Sequence, residues 1–387
     1  MNASFELIEQ AVDGAVIKVI GVGGCGGNAL EHMMRRGLSG VEFICANTDA
    51  QALKRSSAQI QVQLGSTQTR GLGAGARPEI GRNAALSDRD RLVELIRGAD
   101  MLFITAGMGG GTGTGAAPVI ADIAKSMDIL TVAVVTRPFA FEGKRLKVAQ
   151  SGIEELAQKV DSLIIVPNGK LMQVLGEDVS VLDAYAAAND VLHGAVSGIA
   201  EVINNPGLVN VDFADVRTVM GEVGMAMMGS ATACGDDRAR DAAEAAVKSP
   251  LLEDVDLRGA RGVLVNITAS AGLKMREYHE VMNAIKEFTA DDAMVIVGTV
   301  IDDAIGDDLR VTIVATGLNS AAKQSAPKLE VVGTVLERTG TDGGPATDTI
   351  DYDQPTVARR RVVTPGSAGA ASFDTSDIPA FLRKQAD

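Results

Sequence analysis

Short apolar runs alternate with segments of helical spacing over the first 135 residues, and one more helix and strand extend the pattern to residue 166. Short apolar runs bounded by turn residues are typical of buried strands. Their alternation with helices predicts an α/β fold with a parallel sheet covered on both faces. The predicted strands are Ala15–Ile20, Val41–Ala46, Met101–Ala106, Ile129–Val135 and Ser162–Val166, and the predicted helices are Ala29–Arg36, Asp88–Arg97, Ala117–Ser126 and residues 145–159.

A long helix is predicted over residues 181–203. Ser180 followed by Asp183 resembles a capping box at its start, and Pro206-Gly207 follows its end. One face of this helix carries an apolar stripe with a spacing of three and four, which predicts that this face points inward. The stripe consists of Leu182, Tyr185, Asn189, Leu192, Val196, Ile199 and Ile203. The amide of Asn189 needs a partner there, either a neighbouring strand or a ligand.

The pattern changes after residue 208 and predicts a second, smaller α/β unit, which the long helix would couple to the first. Its predicted helices are 212–221, 236–248 and Lys274–Phe288, and its predicted strands are Gly262–Thr268, Met294–Val300 and Leu309–Ala315. From Ser320 to about Ser372, Thr, Gly, Pro, Asp and Ala occur without periodicity, which predicts a disordered linker. A short amphipathic pattern returns near the end, where Ile378, Phe381 and Leu382 share one face of a helical turn.

These boundaries predict six parts of the chain. They are a flexible N-terminal segment (1–12), a first α/β domain resembling a Rossmann fold (13–179), the central helix (180–205), a smaller α/β domain (206–319), the linker (320–372) and a tail peptide (373–387).

Composition narrows the classes of function. Hydrophobic residues make up 46% of the 387 residues and charged residues 22%, as in ordinary globular proteins. A net charge of −14 and an aromatic content of 3% argue against a nucleic-acid-binding protein. Three scattered cysteines and three histidines without ligand spacing argue against a disulfide framework or a zinc site. The lack of a basic, apolar leader and of a membrane-length apolar run favours a cytoplasmic protein that does not insert into a membrane.

A first glycine-rich segment, Gly21–Asn28, lies between a predicted strand and a helix. It contains the G-x-G-x-x-G spacing of dinucleotide-binding proteins, and Asp49 stands near the end of the next strand, where a ribose-binding carboxylate would be. A helix that begins after a glycine turn presents free backbone amides and can bind an anion. The same glycines would also serve tight packing of a helix against a sheet, so the segment alone does not decide the function.

A second segment, Gly107–Gly115, is more specific. Six of its nine residues are Gly and two are Thr, directly between a predicted strand and a helix. Backbone amides and hydroxyls can there line an anion. Two such loops at adjacent strand ends suit a polyphosphate, and a third segment, Gly71–Arg77, could close over the terminal phosphate. The G-x-x-x-x-G-K-[ST] sequence of P-loop proteins is absent.

The sequences GVGGCGGN at 21–28, GGGTGTG at 109–115 and NPGLVNVDFADV at 205–216 together resemble the FtsZ family, the bacterial homologues of tubulin. The resemblance covers residues 15–317, and the tail DIPAFLRKQAD resembles the partner-binding peptide of that family. It implies a tubulin-like fold in which residues 13–179 bind GTP. We assign GTP binding to Gly23, Gly24, Cys25, Gly26, Gly27, Asn28, Gly73, Ala74, Gly75, Gly109, Gly110, Gly111, Thr112, Gly113, Thr114, Glu142, Arg145, Asn168, Tyr185 and Asn189.

Within this set, the resemblance makes Asn189 the reader of guanine, with Asp190 as a second candidate, and Tyr185 the ring that stacks on the base. Glu142 and Arg145 match a pair near the ribose and phosphates, and Asn168 matches a further ribose contact. The family often has one additional residue in this stretch, so Lys144 and Leu146 are alternatives to Arg145.

Asp212 and Asp215 are the predicted catalytic carboxylates. Their i, i+3 spacing places them on one face of a helix start, where Asp212 could equally cap the helix and Asp215 could favour its dipole. The resemblance places Asn210, Asp212 and Asp215 in a loop that enters the nucleotide site of the next subunit and polarises the attacking water. It therefore implies head-to-tail filaments that hydrolyse GTP slowly, with Mg²⁺ on the nucleotide, and leaves open a monovalent cation.

The resemblance also implies partners and a place in the cell. The tail residues Asp377, Ile378, Pro379, Phe381, Leu382 and Arg383 would bind membrane adaptors and assembly regulators. The filament would form the division ring beneath the inner membrane. Two alternatives remain at this point: an NAD(P)-dependent oxidoreductase, which would use the first glycine segment and Asp49, and a structural protein that binds GTP without hydrolysing it.

Overall fold

The computed structural model describes residues 14–318, apart from 177, 205–210, 223, 250, 253–258 and 291–292. The predicted N-terminal segment (1–12), the linker (320–372), the tail peptide (373–387) and Asn210 lie outside the described residues. Among the residues described, no helix is both long enough and apolar enough to cross a membrane.

The described residues form ten strands and twelve α-helices. Over the first half of the chain, strands alternate with one or more helices. The strands are β1 (Ile17–Val22), β2 (Glu42–Asn47), β3 (Ile60–Gln63), β4 (Met101–Gly107), β5 (Leu130–Arg137), β6 (Ser162–Pro167), β7 (Gly224–Ala233), β8 (Gly262–Ala269), β9 (Met294–Ile301) and β10 (Leu309–Leu318). The helices are α1 (Gly23–Arg35), α2 (Ala50–Lys54), α3 (Ser66–Thr69), α4 (Pro78–Ser87), α5 (Arg89–Ile96), α6 (Thr112–Ser126), α7 (Lys144–Ala157), α8 (Asn168–Leu175), α9 (Val181–Asn204), α10 (Phe213–Met220), α11 (Arg238–Val247) and α12 (Met275–Lys286).

All ten strands belong to one sheet, in the order β3-β2-β1-β4-β5-β6-β7-β10-β8-β9. The first six strands are parallel, and β7 extends them in parallel through the pairs from Ser162↔Gly224 to Ile164↔Ala226. β10 is antiparallel to both β7 and β8, while β9 is parallel to β8. The predicted mostly parallel α/β fold is therefore confirmed, and the strands of both halves form one continuous sheet.

Helices cover both faces of this sheet, which explains why strands such as β1 and β4 are apolar along almost their whole length. On one face, α1, α9 and α10 pack on the sheet, with Leu30, Leu192 and Val216 in a common core. On the opposite face, the apolar sides of α4, α5, α6 and α7 form a second core. α11 and α12 cover the second half of the sheet.

The prediction of the long helix is confirmed within one residue, as α9. Ser180 caps it: the backbone N–H of Asp183 donates to Ser180 Oγ at 3.1 Å, and Ser180 Oγ donates to the Asp183 carboxylate at 2.6 Å. The predicted inward stripe is correct from Leu192 onward but wrong at its start, where Leu182 is 82% exposed. The first turns of α9 project beyond the sheet and reach the site described below.

Two predicted helix starts are wrong. α1 begins at Gly23 rather than Ala29, and α6 begins at Thr112 rather than Ala117. Both early starts consist mainly of glycine and threonine, which have low helix propensity and carry no apolar period. These turns are helical because tertiary packing holds them against the ends of β1 and β4. The pattern also failed to predict six elements, which are α2, α3, α4, α8, β3 and β7.

Candidate functional site

Both glycine segments lie at the same edge of the sheet. β1 and β4 are adjacent and parallel, with Val22 paired to Ala106, so that α1 and α6 begin side by side at their carboxyl ends. After β1 the chain continues to β2, on one side of the β1–β4 pair. After β4 it continues to β5, on the other side of that pair. Such a reversal opens a crevice above the carboxyl ends of the strands, where α/β proteins bind ligands.

The amino ends of α1 and α6 carry free donors into this crevice. Neither Val22, which precedes α1, nor Gly111, which precedes α6, offers a side-chain hydrogen bond to the first turn. Neither first turn contains an acidic side chain. The first amides of both helices are thus available to an outside acceptor, and the two helix dipoles favour an anion there.

The glycines of these loops fall into two groups. A side chain at Gly26 or Gly107 would overlap the neighbouring backbone of Thr105 or the side chain of Cys25, so these glycines permit close packing. A side chain at Gly24, Gly75 or Gly110 would meet no protein atom within 4 Å. The second group borders open space, as expected where a ligand lies against bare backbone.

The third segment, Gly71–Arg77, closes against the second one. A side chain at Gly111 would overlap the carbonyl oxygen of Gly75 and lie 3.0 Å from the Ala74 Cβ. The backbone N–H of Gly73 donates to the Thr48 carbonyl at 3.3 Å, which ties this segment to the end of β2. The predicted convergence of all three loops is therefore seen in the structure.

A cavity of about 150 Å³ adjoins the two helix starts. Six of the side chains predicted to bind GTP line it together, although they come from four separate parts of the chain. The lining consists of Cys25, Gly107, Met108, Thr136, Pro138, Glu142, Arg145, Asn168, Tyr185, Ala188 and Asn189. Arg145 lines the cavity, whereas the alternatives Lys144 and Leu146 do not.

Glu142 organises the rim of this cavity. Its Oε1 accepts the backbone N–H of Phe139 at 3.0 Å, and its Oε2 accepts Arg145 NH1 at 2.6 Å. The Glu142 side chain is 13% exposed and that of Arg145 56%, so the guanidinium remains open to solvent beside a fixed carboxylate. A cation held in this way can meet the negative charge of a phosphate.

Aromatic rings fix the position of Tyr185. The buried ring of Phe139 meets the Tyr185 ring edge-on, with centroids 5.6 Å apart and planes at 82°, while Phe141 stacks on Phe139 from outside. Partial burial, together with the carboxylate of Glu142, raises the pKa of Tyr185, so its phenol stays protonated at neutral pH. The exposed face of this ring is available for stacking.

Two amides reach into the cavity in different states. Asn168 opens α8 and is 5% exposed, yet its Oδ1 has no hydrogen-bond donor among the residues described. A buried acceptor without a donor is unfavourable by about 1–3 kcal/mol, so this oxygen is free to accept from a molecule in the cavity. Asn189 is half-buried on α9 at the same cavity.

Asp190, the second candidate for reading the base, points elsewhere. Its Oδ1 lies 2.8 Å from Nε2 of His32, on α1, and 2.6 Å from NH2 of Arg36, the residue directly after α1. This carboxylate therefore links α9 to α1 and does not line the cavity. The assignment of Asp190 as a base reader is not supported by its position.

Cys25 faces the same cavity, with its Sγ 3.6 Å from Thr136 Oγ1. Loss of surrounding water raises the pKa of the Cys25 thiol, although the bond to Thr136 and the charge of Arg145 oppose this. The sequence did not point to Thr136 or Phe139 as parts of the site. Each lies at or just beyond the end of β5, and the one signal that could have found them is their position beside the second glycine loop.

Asp212 and Asp215 lie at the other end of the sheet. Arg217 of α10 donates to the Asp128 carboxylate at 2.6 Å and to its carbonyl at 3.2 Å, and Asp128 comes just before the amino end of β5. The glycine loops are at the carboxyl ends, and the eight residues of β5 span about 26 Å. The two carboxylates therefore cannot reach the cavity of their own chain.

Both carboxylates are exposed. Asp212 holds the N-cap position of α10, as the capping alternative expected, but its side chain makes no capping hydrogen bond. Asp215 follows in the first turn, where the helix dipole favours it. The carboxylate of Asp212 is thus not used by its own helix.

Asp49 does not serve as a ribose carboxylate. It caps α2, and its Oδ1 accepts the backbone N–H groups of Gln51 at 2.8 Å and Ala52 at 3.3 Å. Helix capping alone explains why an acidic residue follows β2, so its presence does not indicate a bound dinucleotide. The oxidoreductase alternative loses the carboxylate on which it depended.

Comparison with known proteins gives matches over nearly the whole chain. The profile of the Tubulin/FtsZ family, GTPase domain, matches residues 16–176, and that of the FtsZ family, C-terminal domain, matches residues 224–319. Two relatives described as cell division protein FtsZ, from Azotobacter vinelandii and Pseudomonas aeruginosa, are each 56% identical over 99% of this chain and 100% of their own length. A solved structure, the empty FtsZ dimer of M. jannaschii, is 42% identical with a TM-score of 0.75, covering 78% of this chain and 88% of that one.

Proposed function

Because the chain belongs to the FtsZ family of cell division proteins, whose tubulin-like domain is a GTPase, we propose that it binds GTP in the cavity beside α1 and α6. We further propose that it assembles head to tail into filaments of the bacterial division ring. Hydrolysis would take place between subunits. The separation of the cavity from Asp212 and Asp215, along the length of β5, is the observation that carries this proposal.

The guanosine would bind in this cavity. Tyr185 would stack on the base with the face that Phe139 leaves free, and Asn189 would read the base edge from α9. The buried Oδ1 of Asn168 would accept a ribose hydroxyl, which satisfies an oxygen that otherwise lacks a donor. Glu142 would hold Arg145 between the ribose and the phosphates.

The phosphates would lie across the amino ends of α1 and α6. Their negative charge would be met by backbone amides, by the dipoles of the two helices and by the Thr112 and Thr114 hydroxyls. Thr114 Oγ1 already accepts the N–H of Gly109 at 2.8 Å, so it also holds the loop in shape. Mg²⁺ would enter with the nucleotide, held by phosphate oxygens and water.

The reacting water would come under the control of a second chain. Stacking the carboxyl edge of one sheet against the amino edge of the next would bring Asp212 and Asp215, with Asn210, over the terminal phosphate. A carboxylate there can orient the water and accept its proton while the amides stabilise the departing phosphates. Because such positioning contributes less than an arginine finger, we expect slow turnover.

Repetition of this contact gives a filament with a defined direction, since the two surfaces that meet are different. The tail peptide, through Ile378, Phe381 and Leu382, would bind membrane adaptors and assembly regulators. Many tails along one filament would strengthen a weak single contact. The filament would thereby lie beneath the inner membrane.

The first experiment measures GTP turnover per molecule over a range of protein concentrations, with light scattering recorded on the same samples. If the site is shared, turnover and scattering rise together above a threshold. If turnover per molecule is constant at all concentrations, each chain has a complete site and the proposal is wrong.

A mixing experiment tests the shared site directly. Asp212→Asn impairs the carboxylate surface and leaves the cavity intact, whereas Asn168→Ala impairs the cavity and leaves the carboxylates intact. In an equal mixture, about a quarter of the contacts pair an intact cavity with an intact carboxylate surface. We expect the mixture to exceed the mean turnover of the two variants measured alone; a mixture equal to that mean would contradict hydrolysis between chains.

A further inference from the structure

Three buried threonines connect the second glycine loop to the third. Thr48 directly follows β2 and has no exposed surface, Thr112 opens α6, and Thr69 ends α3 just before residues 71–77. Thr48 Oγ1 and Thr112 Oγ1 are 2.6 Å apart. The Thr69 hydroxyl lies within donating distance of two carbonyls, that of Thr48 at 3.2 Å and that of Gly65 at 3.0 Å. We call these three residues the threonine relay.

The relay holds the third loop through several bonds. The Thr48 carbonyl accepts the Gly73 N–H at 3.3 Å in addition to the Thr69 hydroxyl. The Thr69 hydroxyl oxygen accepts the Gly71 N–H at 3.4 Å, and the Thr69 carbonyl accepts the Leu72 N–H at 3.0 Å. These hydrogen bonds therefore fix the start of the third loop relative to Thr48 and Thr69.

The hydroxyl pair has one favourable arrangement of protons. If Thr112 donated to Thr48, the Thr48 proton would be buried without an acceptor, because the Thr112 contact is its one side-chain hydrogen bond to the residues described. If Thr48 donates, the Thr112 proton is free for an acceptor at the amino end of α6. The second arrangement pairs the proton of Thr48, which has no exposed surface, and leaves the proton of Thr112, which is 9% exposed, for a ligand at the amino end of α6.

We propose that Thr48 is a positioning residue for the terminal phosphate of GTP. Its hydroxyl orients Thr112 so that the Thr112 proton faces a phosphate oxygen, and its carbonyl fixes the third loop, so that the two loops respond as one unit to the last phosphate. This inference rests on the proposed binding of GTP at α1 and α6. Thr48 touches no nucleotide and acts through Thr112 and the third loop.

The test compares Thr48→Val with Thr48→Ser and with Thr105→Val in the full chain. Val keeps the shape of Thr and removes the hydroxyl, and Ser restores the hydroxyl. Thr105 is an equally buried threonine near the end of β4, and its Oγ1 has no hydrogen-bond partner among the residues described. Affinities for GTP and GDP are measured on dilute protein. Unfolding temperatures without nucleotide are recorded for every variant.

For Thr48→Val, we expect the preference for GTP over GDP to fall about three- to tenfold, the size of one lost hydrogen bond. Thr48→Ser should restore most of this preference, and Thr105→Val should leave it unchanged. An unchanged preference in Thr48→Val, with wild-type binding of both nucleotides, would overturn the relay. A wild-type chain that binds neither nucleotide would instead overturn the proposed function.

Thr69→Val cuts the second link without altering the packing of Thr48, and it serves as the test if Thr48→Val does not fold. Since the links act in series, we expect Thr69→Val to reduce the GTP preference and the double variant to reduce it no further than the larger single effect. Effects that multiply in the double variant, or no effect in Thr69→Val, would contradict a relay through Thr48.

Discussion

Arg217 and Asp128 join α10 to the amino end of β5, through bonds of 2.6 Å to the carboxylate and 3.2 Å to the carbonyl. This contact shows where Asp212 and Asp215 lie, since both belong to the cap or the first turn of the same helix, which buried Val216, Val219 and Met220 hold on the sheet. The two halves of the proposed site are therefore separated by the length of a strand.

Replacement of Arg217 by Ala tests this relationship. We expect turnover of assembled protein to fall severalfold because α10 loses its anchor, while nucleotide affinity of the dilute chain is unchanged. Both side chains are largely exposed, at 45% and 89%, so the free energy of unfolding should change by less than about 1 kcal/mol. Arg97→Ala, which breaks the exposed pair with Glu94, is the control. Equal turnover in the two variants would contradict the anchoring role.

Gly24 and Gly26 should respond oppositely to an added methyl group. Gly24→Ala places it in open space, so the fold should be kept while nucleotide affinity falls about tenfold or more, as a charged hydrogen bond is displaced. Gly26→Ala drives it into the Thr105 carbonyl and should reduce the free energy of unfolding by about 1–3 kcal/mol. Calorimetric unfolding and nucleotide titration measure the two effects. A destabilised Gly24→Ala would show that Gly24 serves packing instead.

Nucleotide should protect Cys25 from alkylation. Its thiol lines the cavity and is exposed to solvent, so a thiol reagent can reach it when the cavity is empty. With GDP at ten times its dissociation constant, we expect about tenfold slower labelling of Cys25, measured by mass spectrometry of each cysteine. Cys234 is exposed and outside the cavity, so its labelling rate should not change. Equal protection of both cysteines would indicate a global effect of GDP rather than occupancy of the cavity.

His193 should make stability depend on pH in the acidic range. Burial, aided by the charges of Arg310, His32 and Arg36 and opposed by Asp190, lowers the pKa of His193 from 6.5 to about 4. Between these values the unfolded chain binds more protons than the folded one, so stability falls as pH falls from about 6.5 towards 4. Over this pH range we expect protonation of His193 to reduce the free energy of unfolding by about 1–2 kcal/mol, allowing for its partial exposure.

Urea unfolding of His193→Gln against His279→Gln isolates that contribution, because His279 is exposed on α12. The free energy of unfolding should depend less steeply on pH between 4 and 6.5 in His193→Gln, whereas His279→Gln should keep the wild-type dependence. Glu201, whose pKa burial raises, contributes in the opposite direction and is present in both variants. Identical slopes in the two variants would show that His193 titrates normally.

The pair Arg238 and Glu277 should matter more than any exposed pair. Arg238 Nε donates to Glu277 at 2.7 Å between α11 and α12, with side chains only 10% and 4% exposed. Glu277→Gln leaves the buried guanidinium without its counter-charge and should reduce the free energy of unfolding by about 3 kcal/mol. Glu244→Gln, which removes a carboxylate that is 32% exposed and pairs with Arg240 and Lys248 on the surface of the protein, should have a smaller effect. Similar losses in both would contradict the importance of burial.

The sequence predicted the strands that bury both faces, such as β4 and β5, since helices on both sides require continuous apolar runs. It failed to predict β7, because Gly224–Ala233 consists of Gly, Met, Ala, Ser and Thr and its burial follows no strict alternation. The early turns of α1 and α6 were missed for a related reason: their glycines are helical through contacts with β1 and β4 and not through local propensity.

For the site, the glycine segments alone indicated an anion, and family resemblance supplied Glu142, Asn168 and Tyr185. The cavity brings these side chains together, as predicted, but their roles towards the nucleotide remain predictions. Sequence could not separate Gly24 from Gly26, since the difference lies in what each faces. Nor could it indicate Phe139 or Thr48, whose contacts connect residues far apart along the chain.

The cavity and the carboxylates lie at opposite edges of one sheet, and this placement also determines how many complete active sites a filament would have. A chain of n subunits has n − 1 junctions, so one nucleotide at the terminal cavity always faces solvent without a neighbour's carboxylates. Short oligomers would therefore hydrolyse less per molecule than long ones even with identical junctions. The terminal subunit would keep its GTP longest. That end of the polymer would therefore carry GTP while the subunits behind it carry GDP.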